Sequence, residues 1–112
     1  MRPSESVIIS EYLRPSGTSP FGRWFSGLDA VVAARVTSSL ARLAAGNWSG
    51  VKSLGAGLHE LRLHFGSGIR VYFGMTGPRI LILLGGGTKS GQVRDIARAR
   101  ELWAEFKTRD RQ

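Results

Sequence analysis

Apolar and polar residues alternate at period two through positions 58–65 and again through 69–73, and positions 80–84 form an apolar run. Gly66, Ser67 and Gly68 separate the first two stretches, and Gly77 and Pro78 precede the third. The stretch 58–92 therefore predicts a three-stranded antiparallel meander leading into a glycine-rich loop. With Phe65 and Ile69 as the last paired residues around a three-residue turn, Arg62 falls opposite Tyr72 and His64 opposite Arg70, all on one face. The other face carries Leu61, Leu63, Phe65, Ile69, Val71 and Phe73, an almost purely apolar set that reads as core. Glu60 shares the polar face and is expected to pair with an arginine there. His59 falls on the apolar parity and reads as structural.

Upstream, Val7, Ile8 and Ile9 form a β-branched run within residues 6–13 that predicts a short strand. Ser19 followed by Pro20 is a helix entry, with Phe21, Trp24, Phe25 and Leu28 at helical spacing and Gly27 ending the helix. Asp29 caps a second helix through Val32, Val36, Leu40 and Leu43, which Gly46 and Asn47 close. Residues 47–57 hold Trp48, Val51 and Leu54 among small and polar residues and read as a packed loop. After Gly85, Gly86 and Gly87, taken as a flexible turn, a last helix spans about residues 91–107. It turns Ile96, Ala99, Leu102, Trp103 and Phe106 inward and Arg94, Arg98, Glu101 and Glu105 outward; the polar residues 108–112 are expected to fray. The resulting order, β-α-α-β-β-β-α, is an α+β fold in one domain over residues 1–112. Its sheet is mainly antiparallel, and helices on one face would leave the arginine-bearing face open.

Composition narrows the function classes. A chain of 112 residues without cysteine has neither disulfides nor thiolate metal sites. No apolar run approaches the ~20 residues of a membrane span, and the first residues lack the layout of a signal peptide, so a cytoplasmic location is expected. Sixteen Lys and Arg against eight Asp and Glu give a net charge of +8. Most of these cations are arginine, whose fork suits phosphate, and the excess points to a polyanionic partner.

Three blocks carry a resemblance: Glu60-Leu61-Arg62, then Arg70-Val71-Tyr72-Phe73, then Gly86-Gly87 followed by Lys89, Ser90, Gln92, Asp95, Ile96 and Ala99. Together they resemble the killer proteins of bacterial addiction modules in the RelE/ParE toxin superfamily, and within it the HigB-type branch. Ile69 stands where that branch usually has an aromatic residue, Ser67 where it commonly has proline, and Gly91 where it has threonine. The resemblance implies a RelE-like fold and the toxin of a type II toxin-antitoxin system. It further implies an mRNA endonuclease (mRNA interferase), free or ribosome-associated, that inhibits translation. A cognate antitoxin, often a helix-turn-helix HigA-like protein, would be its partner. ParE-like members instead inhibit DNA gyrase without cleaving anything, which is the alternative reading. A plain nucleic-acid-binding module is a third.

Cleavage of RNA by its own 2′-hydroxyl needs a base, positive charge on the phosphorane and an acid for the leaving oxygen, and it requires neither metal nor cofactor. Arg62 and Arg70 suit the phosphate as permanent cations. His64 is a base or acid candidate, because imidazole titrates near neutrality. Tyr72 can donate a proton or stack under a nucleobase. Lys89 can reach over the same face as a clamp or base, and Gln92 and Arg94 are candidates for holding the substrate. Each has a simpler reading as a solvated charge, a cross-strand packing partner or a helix cap.

Overall fold

A computed structural model describes residues 7–110. Its strands are β1 (Ile8–Glu11), β2 (Val51–Gly55), β3 (Leu58–Leu63), β4 (Ile69–Thr76) and β5 (Ile80–Gly87), and its helices are α1 (Pro20–Ser26), α2 (Ala30–Ala44) and α3 (Gln92–Asp110). Local chemistry sets several of these boundaries. The Ser19 hydroxyl accepts from the Gly22 amide ahead of Pro20, and the Asp29 carboxylate accepts from the Val32 amide, each satisfying an orphan donor of a first helical turn. At the far end of α2, Gly46 takes a φ of 98°, and the Asn47 amide bonds back to the Arg42 carbonyl. The last helix begins at Gln92, after a tight turn over Lys89–Gly91, and runs to Asp110, so Thr108, Arg109 and Asp110, expected to fray, are helical, with Arg109 tied to the Leu13 carbonyl. Ser6 of the predicted first strand, and Arg111 and Gln112 of the predicted fraying tail, lie outside the described residues.

The five strands form one sheet in the order β1-β5-β4-β3-β2. The pair β1–β5 is parallel and the other three pairs are antiparallel. The fold is thus α+β with a mostly antiparallel sheet, but it departs from expectation in three places. Residues 51–55, read as loop, are the edge strand β2, because Val51 and Lys52 pair with Leu61 and Glu60. The glycines at 85–87 are not a flexible turn but the end of β5, paired with Tyr72, Val71 and Arg70. The Trp24 ring lies where a Gly86 side chain would start, 2.5 Å from an ideal Cβ, and the Asp95 carboxylate occupies the same place over Gly87. These glycines make room for neighbouring groups.

The third departure is the placing of the helices. The α1–α2 hairpin covers Leu61, Leu63, Val71, Phe73, Leu81 and Leu83 with Phe21, Val36 and Leu43. The last helix, α3, packs on the opposite face, where Ala99, Leu102 and Trp103 meet Leu58, Tyr72, Ile82 and Leu84. The helices therefore lie on both faces, and the polar face is open only beyond the first turn of α3. Trp103 fixes α3 in place. Its ring covers Gly74, and its indole nitrogen donates 2.7 Å to the Ala56 carbonyl in the β2–β3 turn. No helix among the described residues is long and apolar enough to cross a membrane.

Candidate functional site

The register of β3 against β4 decides which side chains meet. Leu63 pairs with Ile69, so the connection is the five-residue loop 64–68. Arg62 consequently faces Arg70, and Glu60 faces Tyr72. The expected Arg62–Tyr72 and His64–Arg70 pairs do not form. The slip has a local cause. The Phe65 amide bonds to the Leu63 carbonyl, a three-residue turn centred on His64, and the Gly68 amide bonds to the Phe65 carbonyl. Two successive tight turns lift the chain out of the strand two residues earlier than alternation alone predicts. His64 is exposed in this loop and does not join the polar face.

Glu60 is the centre of what remains. Its side chain is fully buried. One carboxylate oxygen accepts from Arg62 Nε at 2.8 Å, and the other accepts from Gln92 Nε2 at 2.8 Å and lies 3.8 Å from Arg70 Nε. Burial alone would raise the Glu60 pKa. The hydrogen bonds from Arg62 and Gln92 and the charges of Arg62 and Arg70 outweigh it, and the carboxyl titrates below its ordinary range. A carboxylate held by two hydrogen-bond donors and a third partner, an ion-paired cation, is a scaffold for cations. It orients Arg62, which keeps 32% of its side chain exposed, and Arg70, which keeps 9%.

Arg70 is pinned from a second side, because its Nη1 donates 2.9 Å to the Gly68 carbonyl. Lys89 comes to the same glycine. Its amide donates to the Ser67 carbonyl, and a methyl at Gly68 would lie 3.3 Å from Lys89 Cβ and 3.2 Å from Arg70 Nη1. The sequence placed Lys89 on a loop after the third meander strand. The structure brings it beside Arg70 by tethering that loop to the β3–β4 turn, with the Lys89 side chain exposed.

Tyr72 lies deeper, under α3, with 1% exposure. Burial and the nearby Glu60 and Asp95 carboxylates raise its pKa well above the usual phenol value, so it stays protonated. Its hydroxyl has no hydrogen-bond partner among the described residues. The ring borders a cleft of about 190 Å3 with Trp24, Gly85, Gly86, Asp95 and Arg98. Arg94 is exposed on the first turn of α3, with its Nε 3.7 Å from Asp95.

Of the predicted residues, Arg62, Arg70, Gln92 and Lys89 are brought together, Tyr72 is adjacent but covered, Arg94 stands at the rim and His64 is elsewhere. Sequence reasoning assigned Glu60 an arginine partner, which holds, but not the organising role. The signal was an acidic residue two positions before Arg62 on the same strand face. Asp95 was noted in the third block but given no role, although it lies against Gly87 and Gly91 just upstream. His59 behaves as expected, stacked on Phe73 with ring centroids 5.2 Å apart.

No family model matches the chain. It is 39% identical over 90 residues to an uncharacterized protein of Haemophilus influenzae, a match covering 80% of this chain and 91% of that protein. The two belong to one family. The match extends well beyond the cluster around Glu60, so the relationship is one of whole domains.

Proposed function

We propose that this protein is the toxin of a type II toxin-antitoxin system, a HigB-type member of the RelE/ParE superfamily that cleaves mRNA without a metal, in association with the ribosome. The observation that carries the reading is the buried Glu60 carboxylate holding Arg62, Arg70 and Gln92 in place beside Lys89. Fixed cations of this kind stabilise negative charge as it develops, without reorganising at the moment of reaction. In the reaction the 2′-hydroxyl gives its proton to a base supplied by the ribosome and bonds to the adjacent phosphorus, the P–O5′ bond breaks, and the departing 5′-oxygen takes up a proton. Arg62 and Arg70 carry the charge on the pentacoordinate phosphorus, and Lys89 donates to the departing oxygen. Tyr72 remains a phenol and is a donor only.

Glu60 and Asp95, the carboxylates of this face, are both ion-paired. Neither is free to take the 2′-hydroxyl proton, which favours a site completed on the ribosome over a free nuclease. A cognate helix-turn-helix antitoxin of the HigA type would neutralise the protein.

Expression of the chain without a partner is expected to arrest growth, and primer extension on cellular transcripts should show discrete cuts inside codons. Lys89 is exposed, so Lys89→Ala should leave stability within about 0.5 kcal/mol and suppress the cuts. Arg70→Lys should weaken cutting, because an ammonium cannot reproduce the guanidinium contacts. Intact messages with arrested DNA synthesis would support gyrase as the target instead. Normal growth with abundant folded protein would sink the toxin reading.

A further inference from the structure

His64, displaced from the Glu60 cluster, lines the rim of a different cavity. This cavity, of about 270 Å3, opens between α2 and the β3–β4 loop, on the side of the sheet covered by the helical hairpin. Arg35, Arg42, Arg62 and His64 line it, and Ser39, Asn47 and Ser49 add polar groups. No carboxylate is among the described residues of its wall. Arg35, Ser39 and Arg42 recur at four- and three-residue steps along one stripe of α2, so the helix itself aims two guanidiniums at one opening. Arg42 Nη2 donates 3.1 Å to the Ser39 hydroxyl, and the Arg35 guanidinium stands 4.9 Å over the Phe65 ring. Both contacts hold a guanidinium by its neighbours and leave most of its donors unspent.

We propose that this cavity is a phosphate-binding subsite, filled by a phosphodiester of an RNA strand. A wall with arginines, hydroxyls and an amide but no acid offers hydrogen-bond donors in the fork geometry that matches phosphate oxygens. Arg62 belongs both to this wall and to the Glu60 cluster, so a strand engaged at Arg62 has its next anionic contact around the β3–β4 corner. RNA as the source of the phosphate rests on the function proposed above; the chemistry of the cavity does not.

The test has two arms, both on the whole chain. Inorganic pyrophosphate is titrated while the side-chain Nε–Hε signals of the arginines are followed by NMR. Saturable shifts are expected at Arg35 and Arg42, and Ser39→Ala should weaken them. In the second arm, a fluorescent single-stranded RNA with 2′-O-methyl groups, which cannot be cut, is bound over a salt series. Arg35→Gln with Arg42→Gln should reduce affinity roughly tenfold through loss of charge-assisted hydrogen bonds. It should also reduce the slope of log affinity against log salt by ~0.7 for the one phosphate lost. Glutamine is a good helix former, so α2 should persist, and circular dichroism checks it. Unchanged affinity and slope together with unshifted arginine signals would overturn the subsite. Competition by polyglutamate as effective as that by RNA of equal charge would also overturn it, in favour of an acidic polypeptide. Saturable pyrophosphate shifts in a wild type that binds no RNA would keep the subsite and remove the RNA reading.

Discussion

Glu60 keeps a charge with no exposed side-chain surface because two hydrogen bonds and the neighbouring Arg70 guanidinium compensate it, and the arrangement makes the site dependent on one residue. Glu60→Gln preserves shape but leaves Arg62 and Arg70 without their counter-charge. At pH 7 it is expected to cost about 2–4 kcal/mol, less than breaking a fully buried pair because Arg62 is partly exposed. The pH dependence has a definite sign. The folded pKa of Glu60 is lowered, so its stabilisation is fully present above the unfolded value of ~4.3 and is lost as pH falls through the lower folded value. Urea denaturation should show wild type and variant furthest apart near neutrality and converging in acid. Equal stability at pH 7 would refute the role given to Glu60. By the same geometry Arg70→Ala removes a nearly buried partner of a buried carboxylate, so Arg70→Lys and Lys89→Ala separate function from folding more cleanly.

Elements form where the local code is strong, and their packing follows from contacts between residues far apart in sequence. Both helix caps, the Gly77-Pro78 turn and the inward stripe of α3 were legible from periodicity and capping chemistry. The strand β2 was not, because its five residues include two glycine or serine positions and its partner lies on β3. The face taken by α3 was not legible either: an amphipathic helix declares that it has an apolar side without naming the surface that receives it. The receiving surface here was marked by Leu58, Ile82, Leu84 and above all Gly74, over which Trp103 lies. Trp103 is buried, bonded to Ala56 and stacked on Phe106 with centroids 5.3 Å apart, so it cannot swing aside at little cost. Gly74→Ala is therefore expected to destabilise the protein by about 1–3 kcal/mol through overpacking. It should also raise hydrogen exchange in α3 more than in α2, and equal exchange in both helices would contradict the assignment of Gly74 as the seat of α3. Of the candidate site, the residue types were readable and the neighbours were not, since two tight turns around His64 shifted the pairing that alternation implied.

The whole molecule carries a net charge of +8, and the Glu60 cluster and the α2 cavity concentrate cations on both sides of the β3–β4 corner. Wild-type affinity for single-stranded RNA should fall with salt by ~0.7 in log–log slope for each phosphate held, so engagement of several phosphates gives a slope steeper than −2. A flat response would point to a protein partner. The sheet order has a different kind of consequence. The sheet neighbour of β1 is β5, and Gln92, which closes the Glu60 cluster, comes later still. As the chain leaves the ribosome, its first strand and its helical hairpin must wait, unpaired and uncovered, for most of the sequence to follow. A nascent chain lacking β5 and α3 holds neither a finished sheet nor an organised pair of arginines. The proposed activity should therefore arrive as a single step once α3 has emerged, carried by complete molecules rather than by partly active fragments.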